Sequence, residues 1–226
     1  GDCRLEQFLF SLALEAGAPT EAMRVLKRFP HAFGADDAAR LEQLGVSEAT
    51  LAEHFLQLRL PPERVTVVSE EGGLREMEAA LLGREAVAVD AEWRPRFRKA
   101  DGASQPLAVL QLAVPDRVFL LDVAALARSC SAALDAALAR VLGDPASVKL
   151  GYAVREDLRR VGRVCPRVRS VPRVVDLAQM WNALAAAPPP KGGLSGLCQR
   201  CLGKPLDKGM QMSDWERRPL TEAQVA

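Results

Sequence analysis

The spacing of apolar residues changes at Pro61-Pro62, and that break limits what the chain can fold into. Before it, Leu5, Phe8, Leu9 and Leu12 recur at the three-and-four spacing of an amphipathic helix. Thr20 before Glu21 is a helix start, and Pro30 is a stop after residues 21–29. Two further helices are expected over 36–44 and 47–60, with Gly45 and Ser47 between them. Short amphipathic helices in series resemble a piece of a helical repeat or cap. Residues 1–60 are therefore expected to form a small α-helical segment.

After the prolines the runs are short, β-branched or apolar, and bounded by turn residues. Strands are expected over 64–68, 86–90, 107–114, 117–123 and 147–154, with a strand or strand-to-helix edge over 174–180. Helices are expected over 71–82, 129–142, 155–162 and 194–202, and a last one begins at Thr221. The three strands between 86 and 123 have connections mostly too short for helical crossovers, which favours antiparallel neighbours. The later strands are separated by helices, which favours parallel ones. Residues 61–226 are therefore expected to be an α/β domain, a mixed sheet with flanking helices.

The formal net charge of +1 over 226 residues argues against a tail-type nucleic-acid binder at the level of the whole chain. The charge is unevenly placed. Residues 1–60 hold six basic and nine acidic residues, and 61–226 hold 24 and 20. From Arg140 to Arg173 there are nine basic residues against three acidic ones. Such a run is either a solvated face or a phosphate-binding surface.

No run approaches the roughly 18–20 apolar residues of a membrane span, so no membrane partner is expected. Five scattered cysteines do not form a disulfide framework, which points to a reducing, intracellular compartment. Cys198-x-x-Cys201 is at most half of a zinc site, and its bland reading is a pair of core-facing residues on an amphipathic helix.

Asp90 and Glu92 close the strand at 86–90, and alternation puts both on one side. They are either a solvated acidic turn or ligands for a hard cation such as Mg²⁺ or Mn²⁺. Asp157, in the first turn of the next helix after a strand, is either a third ligand or a charge favoured by the helix dipole.

The segments DAEW (90–93), LAVLQLA (107–113), KLGYAVREDL (149–158), VVDLAQM (174–180) and LGKPLDKGMQMSDWERRPLTEAQVA (202–226) stand in family order. In these blocks the chain resembles the DEDD 3′-to-5′ exonucleases of the ribonuclease D and Werner type, over roughly 61–226. The helices before that region resemble the mutator-type (Mut-seven) branch, associated with small-RNA pathways. The resemblance implies an RNase H-like fold and two-metal hydrolysis from a 3′ end. It implies that Asp90, Glu92 and Asp157 are catalytic and bind Mg²⁺ or Mn²⁺. It implies a single-stranded 3′ end as substrate, RNA favoured over DNA, and small-RNA pathway proteins as partners of the N-terminal helices.

Substrate-facing candidates are Trp93, Gln111, Arg155, Lys208 and Gln211, together with Arg94, Arg96, Arg98 and Lys99 just after the first motif. Trp93 either stacks on a terminal base or packs in the core. The family's third motif, with a water-orienting Tyr and a fourth Asp, is expected directly after Gln224-Val225-Ala226. Without it the chain as given is expected to be truncated and inactive or weak. The alternative is a non-catalytic nucleic-acid-binding or protein-interaction module that keeps the fold.

Overall fold

The computed structural model describes residues 3–94, 106–184, 190–211 and 213–225. It divides into two compact units, residues 1–57 with 190–213, and residues 58–189 with 214–226. The expected cut between 60 and 61 is thus joined by two later crossings, because residues 190–213 pack with the helices.

The first unit holds α1 (Arg4–Glu15), α2 (Pro19–Arg28), α3 (Ala35–Gln43) and α4 (Glu48–His54). The second helix begins at Pro19, not at Thr20. A proline at the first helical position loses no intrahelical bond. The fourth stops at His54, well short of residue 60, and Phe55 turns into the core. Phe10, Ala22, Met23, Leu41, Val46 and Phe55 form that core, and the Phe10 ring lies 4.9 Å from that of Phe33. The later segment of this unit is pinned by Leu56 N–H donating to Pro205 O at 2.8 Å. Arg24 adds a second tie, its guanidinium 4.4 Å from the Phe55 ring centroid and 3.6 Å from Asp207.

The second unit is built on a six-stranded sheet of β1 (Val65–Val68), β2 (Ala86–Glu92), β3 (Val109–Val114), β4 (Arg117–Asp122), β5 (Val148–Gly151) and β6 (Val174–Asp176). Its order is β1-β4-β3-β2-β5-β6. The pairs β2–β3 and β3–β4 are antiparallel, and β1–β4, β2–β5 and β5–β6 are parallel. Connection length explains the mixture. Only Pro115 and Asp116 separate β3 from β4, so these strands form a hairpin. Helices α5 (Glu71–Leu81), α6 (Val123–Ser129), α7 (Ser131–Gly143) and α8 (Arg155–Val164) occupy the longer links. They are followed by α9 (Leu177–Leu184), then α10 (Gly193–Leu202) in the first unit, and α11 (Glu222–Val225).

Val87, Val89 and Ala91 point from β2 into one core with Leu110, Leu112, Phe119, Leu121, Leu138 and Val161. Asp90 and Glu92 therefore lie on the opposite face of the strand.

Several elements differ from expectation for local reasons. Helix α6 was not expected: Val123 leaves the sheet because Asp122 caps a helix there, accepting from Ala125 N–H at 2.9 Å. Strand β6 is three residues long, because Asp176 caps α9 by accepting from Ala178 N–H at 3.0 Å. Strand β5 ends at Gly151, four residues before α8 begins. A Cβ at Gly151 would lie 2.5 Å from a Val154 methyl and 3.0 Å from Val89 O, so glycine permits the close passage to β2. Ala153 then takes a left-handed φ of 54°, and its N–H donates to Asp176 at 3.0 Å. Cys198 is half-buried and Cys201 exposed, so the pair does not face the core as expected.

Candidate active site

Two elements converge on the open face of the sheet. Strand β2 presents Asp90 and Glu92, which pair in register with Gln111 and Val109 of β3. The tight β5–α8 turn delivers Asp157 in the first turn of α8, where it is buried at 6% exposure. Asp90 is solvent-accessible and Glu92 is half-buried.

Asp90 lies near enough to Glu92 and Asp157 for its charge to act on both, and the Asp157 charge acts on Glu92. Burial, then the charges of Asp90 and Asp157, push the Glu92 carboxyl up to about 8. Burial and the Asp90 charge push Asp157 up to about 7, with smaller contributions from Glu156 and Asp176 and partial relief from Arg160. Asp90 is also raised by burial, offset in part by the Ala91 amide. Protonation or a bound cation would each relieve this repulsion.

The other sequence candidates fall in different places. The Trp93 ring packs against the hydrophobic core, and the Arg160 guanidinium lies 3.8 Å from its centroid. Gln111 is half-buried beside Asp90 on the neighbouring strand. Arg155 is exposed at the first position of α8. Lys208 and Gln211 belong to the first unit. Lys208 Nζ donates to Gly192 O at 2.7 Å, and Gln211 N–H donates to Lys208 O at 3.1 Å.

The basic run is partly neutralised. Arg140 pairs with Glu78, Arg159 with Glu156, and Arg167 with Asp135 at 3.7 Å. Arg94 lies 3.7 Å from Asp214 and 3.8 Å from Glu216. Arg96, Arg98 and Lys99 lie outside the described residues.

Two residues at this site were not singled out from the sequence. Arg160 is three residues beyond Asp157, and that spacing alone puts both on one helix face. Asp176 accepts from the amides of both Ala153 and Ala178, and so ties the turn before α8 to the start of α9. Its legible signal was an Asp at the end of a β-branched run, the position of a helix cap.

The profile of the 3′-5′ exonuclease family matches residues 65–226. The chain belongs to the DEDD 3′-5′ exonuclease family. Among curated proteins it is 35% identical to the human Exonuclease mut-7 homolog, over 99% of this chain and 26% of that protein. It is 29% identical to the Ribonuclease D of Granulibacter bethesdensis, over 71% of this chain and 37% of that one. The chain thus spans about a quarter to two fifths of the length of these relatives.

Among solved structures, the Aedes aegypti Nibbler EXO domain aligns with a TM-score of 0.66 at 26% identity, covering 75% of this chain and 83% of that one. Escherichia coli RNase D aligns with a TM-score of 0.57 at 25% identity, covering 70% and 39%. The exonuclease unit thus has the RNase H-like architecture of these domains.

Exonucleases of this family act on nucleic acid and generally use divalent metal ions. Among the described residues, no three His, Cys, Asp or Glu side chains already stand in the arrangement of a metal site. The donor chemistry nevertheless fits a hard divalent cation. It comprises carboxylate oxygens only, at the end of the interior strand β2 and the start of α8, each held above its ordinary pKa. No helix of the described residues is long and apolar enough to cross a membrane.

Proposed function

We propose that Asp90, Glu92 and Asp157 bind divalent cations, Mg²⁺ or Mn²⁺ and two in the complete site, for hydrolysis of phosphodiesters from the 3′ end of single-stranded RNA. The observation that carries this reading is the meeting of Asp90 and Glu92 on β2 with Asp157 at the start of α8, close enough that the Asp90 charge raises both other carboxyls. Such clusters are costly unless a ligand uses them. Bound cations in such a site activate a water and stabilise the leaving oxygen.

The chain's own residues do the rest. Glu92 and Asp157 give up their protons to become ligands. Gln111, level with Asp90, offers a neutral amide beside the cluster. Arg155, exposed two residues before Asp157, supplies a positive charge for a phosphate. Trp93, packed on the core and covered by Arg160, supports the end of β2 and is not free to stack on a base. The likeness to a Ribonuclease D favours RNA as the substrate.

Tyr152 is the one tyrosine in the sequence and lies in the turn between β5 and α8. No tyrosine of these 226 residues is therefore assigned to orient the attacking water. With Mn²⁺ and an end-labelled single-stranded RNA, the protein is expected to shorten the RNA from its 3′ end. Asp90→Asn abolishes that shortening, and DNA of the same sequence is a poorer substrate. Shortening left unchanged by Asp90→Asn would contradict the assignment of the carboxylate cluster. Bound RNA left uncut by both wild type and Asp90→Asn would make the chain a binding module instead.

A further inference from the structure

A cation–aromatic contact joins the two elements that carry the acidic cluster. Trp93 follows Glu92 directly at the end of β2, and Arg160 lies one turn beyond Asp157 on α8. The Arg160 guanidinium carbon is 3.8 Å from the Trp93 ring centroid, and the rest of that ring packs against the hydrophobic core. Arg160 is not a surface charge. Its side chain is 11% exposed, and its Nε lies 3.2 Å from the Glu156 carboxylate. The guanidinium is thus clamped between a ring on β2 and a carboxylate on its own helix.

Charge alone gives no reason for an arginine here. A fixed positive group beside Asp157 repels an incoming cation, so it opposes cation binding. Shape does give a reason. A planar guanidinium can stack on an indole and keep an ion pair at the same time, which an ammonium does less well.

We propose that Arg160 is a positioning residue for the carboxylate cluster: by stacking on Trp93 it fixes the spacing between Asp90 and Glu92 on β2 and Asp157 on α8. The inference rests on the reading of that cluster as a divalent-cation site. Arg160 is one turn from Asp157, and Trp93 is one residue from Glu92, so a shift at the stack is passed directly to both ligand sets.

Calorimetric titration of Mn²⁺ into the wild type, Arg160→Lys, Trp93→Leu and the double variant tests this, with a thermal melt of each. Arg160→Lys keeps the charge and loses the planar stack. It is expected to weaken Mn²⁺ binding about 10-fold with a melting temperature within a few degrees of wild type. Trp93→Leu is expected to weaken it similarly, and the double variant no further, because both remove one contact. A merely structural role would lower the melting temperature and leave the affinity alone. Unchanged Mn²⁺ affinity in Arg160→Lys overturns the inference while leaving the cation site in place. Failure of the wild type to bind Mn²⁺ overturns the cation reading and this inference together.

Discussion

Arg218→Ala is expected to destabilise the exonuclease unit by about 3–5 kcal/mol, because it strands a buried carboxylate. Asp122 is 6% exposed and is held by the guanidinium through Nε and through Nη2, the latter at 2.9 Å. The same guanidinium donates to Ala108 O at 3.1 Å and to Trp215 O at 2.7 Å. One side chain thus joins the end of β4, the approach to β3 and the segment 214–218. For a chain of this size the loss corresponds to a melting temperature lower by roughly 6–20 °C. Asp122→Asn in the same background should recover part of it, since the amide still accepts from Ala125 and no charge is left buried.

Acid should narrow the difference between wild type and Arg218→Ala. Burial raises the Asp122 carboxyl, but the hydrogen bonds from Arg218 and Ala125 and the charges of Arg218 and Arg128 outweigh it, so it lies below its ordinary value. A carboxyl lowered by folding stabilises above its unfolded pKa, and that contribution is lost as pH falls through the folded one. The variant lacks it from the start. A gap between the two melting temperatures that stays constant from neutral pH into acid would contradict the assignment.

Glu92→Gln should act in the opposite direction and raise the stability of the metal-free protein. The Glu92 carboxyl is raised from an ordinary 4.5 to about 8 by burial and by the charges of Asp90 and Asp157. A carboxyl raised by folding costs nothing below its unfolded pKa. Above that it destabilises increasingly until pH passes the folded pKa. The half-buried position leaves room for solvent screening, so the gain at pH 8 is about 1–2 kcal/mol. It should be near zero at pH 4.5. The same variant should lose stabilisation by added Mn²⁺. A melting temperature equal to or below that of wild type at pH 8 would sink the view that this carboxyl is held under strain for a ligand.

Much of this was legible in the chain. The break at Pro61-Pro62, the β-branched runs and the short links between 86 and 123 are local signals, and they sufficient for a mixed sheet with helices on it. Strand alternation put Asp90 and Glu92 on one face, and helix position put Asp157 at a turn that could meet them. Residues 190–213 joined the helical unit through nonlocal ties, Leu56 to Pro205 and Arg24 to Asp207, which no local pattern records. Helix α6 was hidden because Asp122 looked like the end of a strand, whereas its carboxylate serves both as a cap and as the partner of Arg218. The arginines between 140 and 173 read as one basic run. In the fold, Glu78, Glu156 and Asp135 claim several of them, and Arg160 turns inward to Trp93.

The most direct test of the carboxylate cluster as a cation site is the number of protons released when Mn²⁺ binds at pH 7.5. It is measured by calorimetry in two buffers of different ionisation enthalpy. With Glu92 near 8 and Asp157 near 7, roughly one proton should leave per site filled. Release should fall in Glu92→Gln. Binding of Mn²⁺ without proton release, or with the same release in Glu92→Gln, would place the cation elsewhere and contradict the assignment.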